Sequence, residues 1–218
     1  MTLPSKRRYA VSSGIEGEFE PGSRRRVRRN KLRIRKKTEM DEAEYSSLLA
    51  AQEAYLNYIT EATVFTAELL CKMHRDWLGE IYEWAGTYRA VDVSKGGLSW
   101  PPAYRVSENM SQFETEILSR KTPCRHGDRQ RVAEDIAIVH AELLLIHPFR
   151  EGNGRLARWV ADLMSLQAKG PIPDYGFEVR GSRSRSRRYL DAVIQGYERD
   201  YADLARFFFE ALERGAER

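Results

Sequence analysis

Residues 132–166 read VAEDIAIVHAELLLIHPFREGNGRLARWVADLMSL, and this stretch decides the fold. Apolar residues recur every three or four positions on both sides of a central break. They are Val132, Ile136, Val139, Leu143 and Ile146 before the break, and Leu156, Val160, Leu163 and Leu166 after it. Asp128 is a candidate N-cap for the first stripe, and Gly170-Pro171 marks the end of the second. The pattern predicts a helix, a tight loop and a second helix.

The break itself has features of a binding site. Pro148 disfavours helical geometry at the residue before it, so we expect the first helix to end at His147 and to leave its imidazole at an exposed edge of the core. The sequence Gly152-Asn153-Gly154 then opens the second helix. A helix N-terminus preceded by glycine presents main-chain N–H groups and the positive end of the helix dipole, which favours phosphate.

The charges around this helix start fit the same interpretation. Arg155 and Arg158 lie three residues apart, and cations in a first helical turn oppose the helix dipole by about 0.3–1 kcal/mol each. An anion between them would explain their presence. Glu151 is the acid of the loop, and a single carboxylate beside bound phosphates is a common way to hold Mg²⁺. The loop therefore predicts a site for a nucleotide triphosphate and Mg²⁺.

Residues 147–158, HPFREGNGRLAR, resemble the HPFx(D/E)GNGRxxR signature of the Fic family at every defined position. The resemblance implies an all-α fold, a bundle of about eight helices with a short β-hairpin called the flap. It implies a protein adenylyltransferase, an enzyme that moves AMP from ATP to a Ser, Thr or Tyr hydroxyl of a target protein. In this chain it assigns His147 as the general base, Phe149 as a core anchor and Glu151 as the Mg²⁺ ligand.

The same resemblance assigns the nucleotide contacts. They are Gly152, Asn153 and Gly154 around the phosphates, Arg155 on the phosphates, Arg158 on the γ-phosphate and Tyr189 against the adenine. Relatives of the Doc type carry Lys at the position of Gly154 and phosphorylate their targets instead. Gly154 therefore favours AMP transfer.

A second segment resembles the family's flap. Residues 81–89, IYEWAGTYR, are similar to the sequence that leads into it, and residues 93–102, VSKGGLSWPP, follow. A glycine turn between short extended runs, closed by two prolines, predicts an exposed hairpin. Its edge could accept a target chain as an added strand. The candidate docking residues are Lys95, Gly96, Gly97 and Leu98.

The N-terminal region resembles an inhibitory motif. Residues 12–17, SSGIEG, are similar to the family's (S/T)xxxE(G/N) sequence, with Ser12, Glu16 and Gly17 at its defined positions. The resemblance implies an inhibitory helix in which Glu16 pairs with Arg158 and blocks the γ-phosphate. We assign residues 1–40 to an N-terminal extension and residues 41–214 to the Fic domain, whose first helix opens with a capping box of Asp41 and Glu44.

Residues 24–37 are strongly basic, with ten Arg and Lys and no acid. Subtracting these ten charges from the net charge of +4 leaves −6 on the rest of the chain. Such a run can neutralise a phosphate backbone, but it lacks the interleaved aromatic residues that stack on single strands. A solvated loop or short strand pair is favoured, and nucleic-acid binding stays open.

Composition bounds the remaining alternatives. The 218 residues contain two cysteines and no apolar run of the roughly 20 residues that span a bilayer, and no secretory signal opens the chain. We predict a single-domain cytoplasmic protein with ATP and a target protein as partners and no membrane contact, and a homodimer stays open. Two other functions also stay open: AMP removal or transfer of another phosphate-containing group at the same site, and a non-catalytic module that binds through the basic segment.

Overall fold

The computed structural model describes residues 10–11, 15–95, 97–177 and 182–218. Its helices are α1 (Lys37–Tyr58), α2 (Ala67–Leu78), α3 (Val106–Phe113), α4 (Ser119–Lys121), α5 (Arg129–Ile146), α6 (Asn153–Gln167), α7 (Ser182–Gln195) and α8 (Ala202–Ala216). A π-helical turn, Glu114–Leu118, joins α3 to α4. The predicted all-α bundle is confirmed. In the described ranges, no helix combines the length and the apolar character needed to cross a membrane.

Helix α5 is the centre of the bundle and packs against both α6 and α8. The five apolar residues of its predicted stripe are all buried. On α6, Leu156, Val160 and Leu163 are buried and Leu166 is half-buried. Burying each such side chain contributes about 1.5–3 kcal/mol. The carboxylate of Asp128 accepts a hydrogen bond from the main-chain N–H of Gln130, so it caps α5 as predicted.

Helix α1 starts earlier than the sequence indicated. It begins at Lys37, and Asp41 lies one turn inside it, where it forms an ion pair with Lys37. The predicted capping box is therefore wrong. A tertiary contact explains the difference. Glu44 is buried and accepts a hydrogen bond from the Tyr82 hydroxyl at 2.5 Å, so its carboxylate does not cap the N-terminus of the helix.

A small antiparallel sheet lies beside the helices. It contains β1 (Ala10–Val11), β2 (Val93–Lys95) and β3 (Leu98–Ser99), with β2 between the other two. Strands β2 and β3 form the predicted flap hairpin, and Gly97 in its turn has φ of 88°. Gly96 falls outside the described residues. The indole N–H of Trp100 donates to the Leu144 carbonyl at 2.8 Å, which ties the hairpin to the end of α5.

The region before α1 also folds back on itself. Residues 15–17 form one 3₁₀ turn instead of the expected inhibitory α-helix, and Ser12 lies outside the described residues. Phe19 then pairs with Arg28 in an antiparallel bridge, supported by a hydrogen bond from Glu20 N–H to the Val27 carbonyl at 3.0 Å. We call residues 15–30 the N-terminal hairpin.

The basic segment is more than a solvated loop. Of its ten cationic side chains, Arg28 is buried, Lys37 is half-buried and the other eight are exposed. The prediction of a solvated loop or strand pair thus describes the exposed cations and is wrong for Arg28. Val27, next to it, is 1% exposed and anchors the hairpin in the core.

Candidate functional site

The break between α5 and α6 starts at His147. Its N–H still bonds the Leu143 carbonyl at 3.0 Å, but its backbone is left-handed, with φ of 53°. The expectation of an exposed imidazole is wrong, because the residue is only 5% exposed. The ring of Trp100, which follows the flap, covers it at a centroid distance of 4.1 Å.

The protonation of His147 follows from its surroundings. Its Nδ1 lies 3.3 Å from the Leu144 carbonyl, and a carbonyl can only accept, so Nδ1 carries the proton and Nε2 keeps a lone pair. Burial lowers the pKa of His147 to about 3 against the effect of that hydrogen bond, and the charges of Arg89 and Lys95 act in the same direction as burial. The imidazole is neutral near pH 7, in the tautomer that accepts a proton at Nε2.

The loop after His147 is held by its own side chains and by α2. The Asn153 amide accepts from Phe149 N–H at 2.9 Å and donates to the Phe149 carbonyl at 2.7 Å. The His74 ring stacks on Phe149 at 4.0 Å, accepts from Gly86 N–H and donates to the Glu151 carbonyl. Because the Asn153 side chain is used within the loop, only its main-chain N–H is available to a ligand.

Gly152 makes the turn into α6. It has φ of 85°, and a Cβ at this position would lie 2.9 Å from the Trp77 ring, so no other residue fits without rearrangement. The N–H groups of Asn153 and Gly154 then fall in the first turn, where no earlier helical carbonyl can accept from them. This arrangement suits a phosphate group.

The two arginines of α6 have separate partners. The Arg155 guanidinium donates to Glu44 at 2.7 Å and lies 4.6 Å from the centroid of the Trp77 ring. Arg158 lies 5.7 Å from the centroid of the Phe177 ring, and its charge acts on the Tyr189 hydroxyl, where it lowers the pKa against the larger effect of burial. The two positive charges are therefore held apart. Arg155 lies against α1 and α2, and Arg158 lies against the aromatic side of the core, where Phe177 and Tyr189 are found.

Tyr189 is buried in this aromatic side of the core. Its hydroxyl lies 2.7 Å from Nε2 of His140, and His140 Nδ1 lies 3.1 Å from the Ala157 carbonyl. The carbonyl accepts from Nδ1–H, so Nε2 accepts from the tyrosine hydroxyl. The oxygen of the hydroxyl keeps lone pairs that can face Arg158. The observed partner of Tyr189 is thus His140, and its contact with adenine stays a prediction.

Glu16 does not have the partner that the motif implied. Its carboxylate accepts from the Ala90 N–H at 3.1 Å, and its main-chain carbonyl accepts from Arg150 Nε at 2.9 Å. Burial raises the pKa of Glu16, while the Ala90 hydrogen bond and the nearby arginines oppose the shift. The expected pair with Arg158 is wrong for this structure, because the 3₁₀ turn directs Glu16 to the segment that leads into the flap.

Glu151 is the candidate metal ligand. Its side chain is 12% exposed, and Oε1 lies 3.4 Å from Arg28 Nε and 3.8 Å from Arg150 Nη1. In the part of the chain that the structure describes, no three His, Cys, Asp or Glu side chains form a metal cage. One hard carboxylate fits a Mg²⁺ ion that is held mainly by nucleotide phosphates and water.

Three residues that support the site were not identified from the sequence. Arg89 is 2% exposed and donates to the carbonyls of His147, Val91 and Pro101 at 2.6–2.9 Å, so it ties the flap to the loop. Glu44 holds Arg155. For Glu44 a signal existed, since it shares the apolar stripe of α1 with Leu48, Ala51 and Tyr55. Arg28 has no such signal among its neighbouring arginines.

Comparison with known proteins gives a consistent assignment. The model of the Fic/DOC family matches residues 64–165. The probable protein adenylyltransferase y4lH of Sinorhizobium fredii is 30% identical over 182 residues, which cover 82% of this chain and 88% of that protein. The protein adenylyltransferase VbhT of Bartonella schoenbuchensis is 29% identical over 133 residues, 61% of this chain but 26% of VbhT.

A solved structure has the same fold. The crystal structure of BepC from Bartonella tribocorum, with bound AMPPNP, superposes with a TM-score of 0.69 at 20% identity and covers 90% of this chain and 96% of that one. The relative from Sinorhizobium aligns over nearly its whole length, and the family model spans the loop and both of its helices. The chain therefore belongs to the Fic/DOC family.

Proposed function

We propose that the chain is a protein adenylyltransferase that moves AMP from ATP to a Ser, Thr or Tyr hydroxyl of a target protein. The observation that carries the proposal is the contact of His147 Nδ1 with the Leu144 carbonyl at 3.3 Å, which leaves Nε2 as proton acceptor six residues before Asn153, the first residue of α6. A base beside an anion site is what transfer of a phosphate-containing group requires. The name and the coverage of the relative from Sinorhizobium support AMP as the group.

Each residue of the loop then has a role in one displacement. Nε2 of His147 takes the proton of the target hydroxyl while that oxygen forms a bond to the α-phosphorus of ATP. The bond from the α-phosphorus to its bridging oxygen breaks, and pyrophosphate leaves with the electron pair. The N–H groups of Asn153 and Gly154 and the guanidinium of Arg155 stabilise the charge on the phosphate oxygens.

The remaining contacts place the nucleotide. Arg158, which lies beside the Phe177 ring, binds the γ-phosphate, and Tyr189 borders the adenine. Glu151 would hold a Mg²⁺ ion, which would supply positive charge to the phosphates and the leaving pyrophosphate. Gly154 leaves room beside Arg158, since a Cβ there would lie 3.7 Å from its guanidinium.

The flap is the proposed docking surface for the target. Lys95, Gly97 and Leu98 lie at its turn, together with Gly96, which is outside the described residues. Strand β1 pairs with the outer edge of β2 through Ala10 and Val11, so a target strand would take the place of β1 or pair along β3. Pairing through main-chain groups would place a target hydroxyl near His147, because Trp100 and Arg89 tie the flap to the end of α5.

Autoinhibition by Glu16 is proposed in a changed form. Its contacts to Ala90 and to Arg150 join the segment before the flap to residues 147–153, which we call the catalytic loop. The N-terminal hairpin thus restrains the approach of substrates at the flap side of the site, without a bond to Arg158.

The test is incubation with α-labelled and, separately, γ-labelled ATP in a cell lysate, followed by detection of labelled protein. AMP transfer predicts label from the α-position only. His147→Ala should reduce the rate by about 100-fold or more, since a general base contributes about that much. His126→Ala is the matched control, because His126 pairs with Asp135 away from the loop. Label from the γ-position, or an unchanged rate in His147→Ala, would overturn the proposal.

A further inference from the structure

Arg28 is the buried cation of the basic segment, and it contacts the candidate metal ligand. Its Nε lies 3.4 Å from Oε1 of Glu151, and its Nη1 donates to the Gly17 carbonyl at 3.3 Å. Its guanidinium lies 4.4 Å from the centroid of the Phe19 ring. The side chain is 8% exposed, whereas Arg26 and Arg29 beside it are exposed.

The N-terminal hairpin is built to present this cation. Phe19 and Arg28 are directly opposite in the antiparallel bridge, so their side chains lie on the same face, and the ring supports the guanidinium. A buried arginine needs partners to offset the loss of hydration. Phe19 and Gly17 belong to the hairpin itself, whereas Glu151 lies 123 residues further along the chain. The carboxylate is thus the partner that joins Arg28 to the catalytic loop.

Electrostatic repulsion opposes the simultaneous binding of two cations to Glu151. A Mg²⁺ ion binds a carboxylate oxygen at about 2.0–2.1 Å. With Arg28 Nε at 3.4 Å from Oε1, ion and guanidinium would lie only a few ångströms apart, where like charges repel strongly. Arg150, at 3.8 Å from the same oxygen, adds to the repulsion.

We propose that Arg28 is an internal counter-ion that holds Glu151 in the resting protein and competes with the divalent cation for it. The proposal rests on the proposed function, in which Glu151 holds the metal. Metal and nucleotide then bind with displacement of the guanidinium from Glu151. Since Glu16 lies on the same hairpin, this displacement also weakens the attachment of Glu16 at the flap side.

The experiment measures Mn²⁺ affinity by electron paramagnetic resonance of the free ion, using the full chain with a saturating non-hydrolysable ATP analogue. Arg28→Gln should tighten Mn²⁺ binding about tenfold, the equivalent of about 1.4 kcal/mol. Arg28→Lys, which keeps the charge, should stay close to wild type. Arg29→Gln is the matched control, because Arg29 is exposed and pairs with Glu18.

Further variants separate the two proposals. Glu151→Gln should weaken Mn²⁺ binding, and if it does not, the assignment of Glu151 as the metal ligand fails. If Glu151→Gln weakens binding but Arg28→Gln matches Arg29→Gln, the counter-ion proposal alone is overturned. Phe19→Leu removes the ring that supports the guanidinium, so it should also increase the affinity for Mn²⁺, by a smaller factor than Arg28→Gln. This variant tests the proposal if Arg28→Gln does not fold. No tightening in Phe19→Leu would then count against the proposal.

Discussion

The catalytic loop, residues 147–153, and the N-terminal hairpin, residues 15–30, meet at the same site but are held there in different ways. The loop is part of the core: Phe149, Arg150 and Asn153 are each at most 2% exposed. The hairpin reaches the loop through the Glu16 carbonyl on Arg150 and through the Arg28 side chain on Glu151. The loop is fixed by packing and main-chain hydrogen bonds, whereas the hairpin, which Val27 anchors in the core, meets the loop through polar contacts.

This difference predicts whether a mutation should mainly affect stability or activity. A change in the loop disturbs the packing of α2, α5 and α6, so it should lower the free energy of unfolding. A change in the hairpin removes single polar contacts, each worth about 0.5–3 kcal/mol, so it should alter activity more than stability. The predictions that follow test this contrast, beginning with the largest expected effect.

Gly152→Ala should be the most destabilising change in the loop. The new Cβ would lie 2.9 Å from the Trp77 ring, on a residue whose φ is 85°. Strain and overpacking together predict a loss of about 3 kcal/mol in the free energy of unfolding, measured by urea denaturation. Gly154→Ala is the matched control, since its Cβ would make only an ordinary 3.7 Å contact with Arg158. Equal losses in the two variants would contradict the packing argument.

Acid should destabilise the protein through buried histidines. Burial lowers the pKa of His147 to about 3, of His140 to about 3 and of His74 to about 4, so the unfolded chain binds more protons below pH 6.5. Asp162 opposes this, because burial raises its pKa to about 7. The histidine contribution to the free energy of unfolding is fully present above pH 6.5 and is lost as the pH falls below it, whereas the contribution of protonated Asp162 is lost as the pH rises through about 7.

The free energy of unfolding should fall by only roughly 2 kcal/mol between pH 6.5 and 5.5, because protonation of Asp162 offsets part of the histidine effect. Urea denaturation at the two pH values measures it. His140→Gln should reduce the pH dependence by about one proton. A stability that rises on acidification would show that the histidines are not buried in the neutral form.

Glu44→Gln tests the support of Arg155 from outside the loop. The carboxylate accepts from Arg155 at 2.7 Å and from Tyr82 at 2.5 Å, and losing its charge should cost roughly 1–2 kcal/mol of stability. Affinity for an ATP analogue, measured by calorimetry, should also fall several-fold. Glu42→Gln, exposed on the same helix, is the control. Unchanged nucleotide affinity in Glu44→Gln would mean that Arg155 is positioned without it.

Glu16→Gly tests the hairpin and should leave stability nearly unchanged. Losing the carboxylate frees Ala90 N–H and loosens the turn at Arg150, so labelling from α-labelled ATP should rise several-fold, the equivalent of about 1 kcal/mol. Glu18→Gly, an exposed neighbour, provides the comparison. If the two variants label equally, Glu16 has no restraining role.

Much of the fold was predictable because it follows from local patterns. The stripes of α5 and α6, the Asp128 cap and the flap hairpin each depend on residues close in sequence. The start of α1 was not predictable in this way, because Glu44 fits the spacing of a capping box equally well. Its buried bonds to Tyr82 and Arg155 decide its role, and those partners are distant in the chain.

The sequence by itself determined the family motif and the identity of the charged groups at the loop, since a run of twelve residues carries them, and its apolar stripes determined α5 and α6 on either side of that loop. Only the tertiary structure decided that His147 is buried under Trp100, that Glu16 bonds Ala90 in place of Arg158, and that Arg28 alone among ten basic residues reaches Glu151. The physical reason is that burial and charge pairing depend on which segments meet in space, and these segments lie 47 to 123 residues apart.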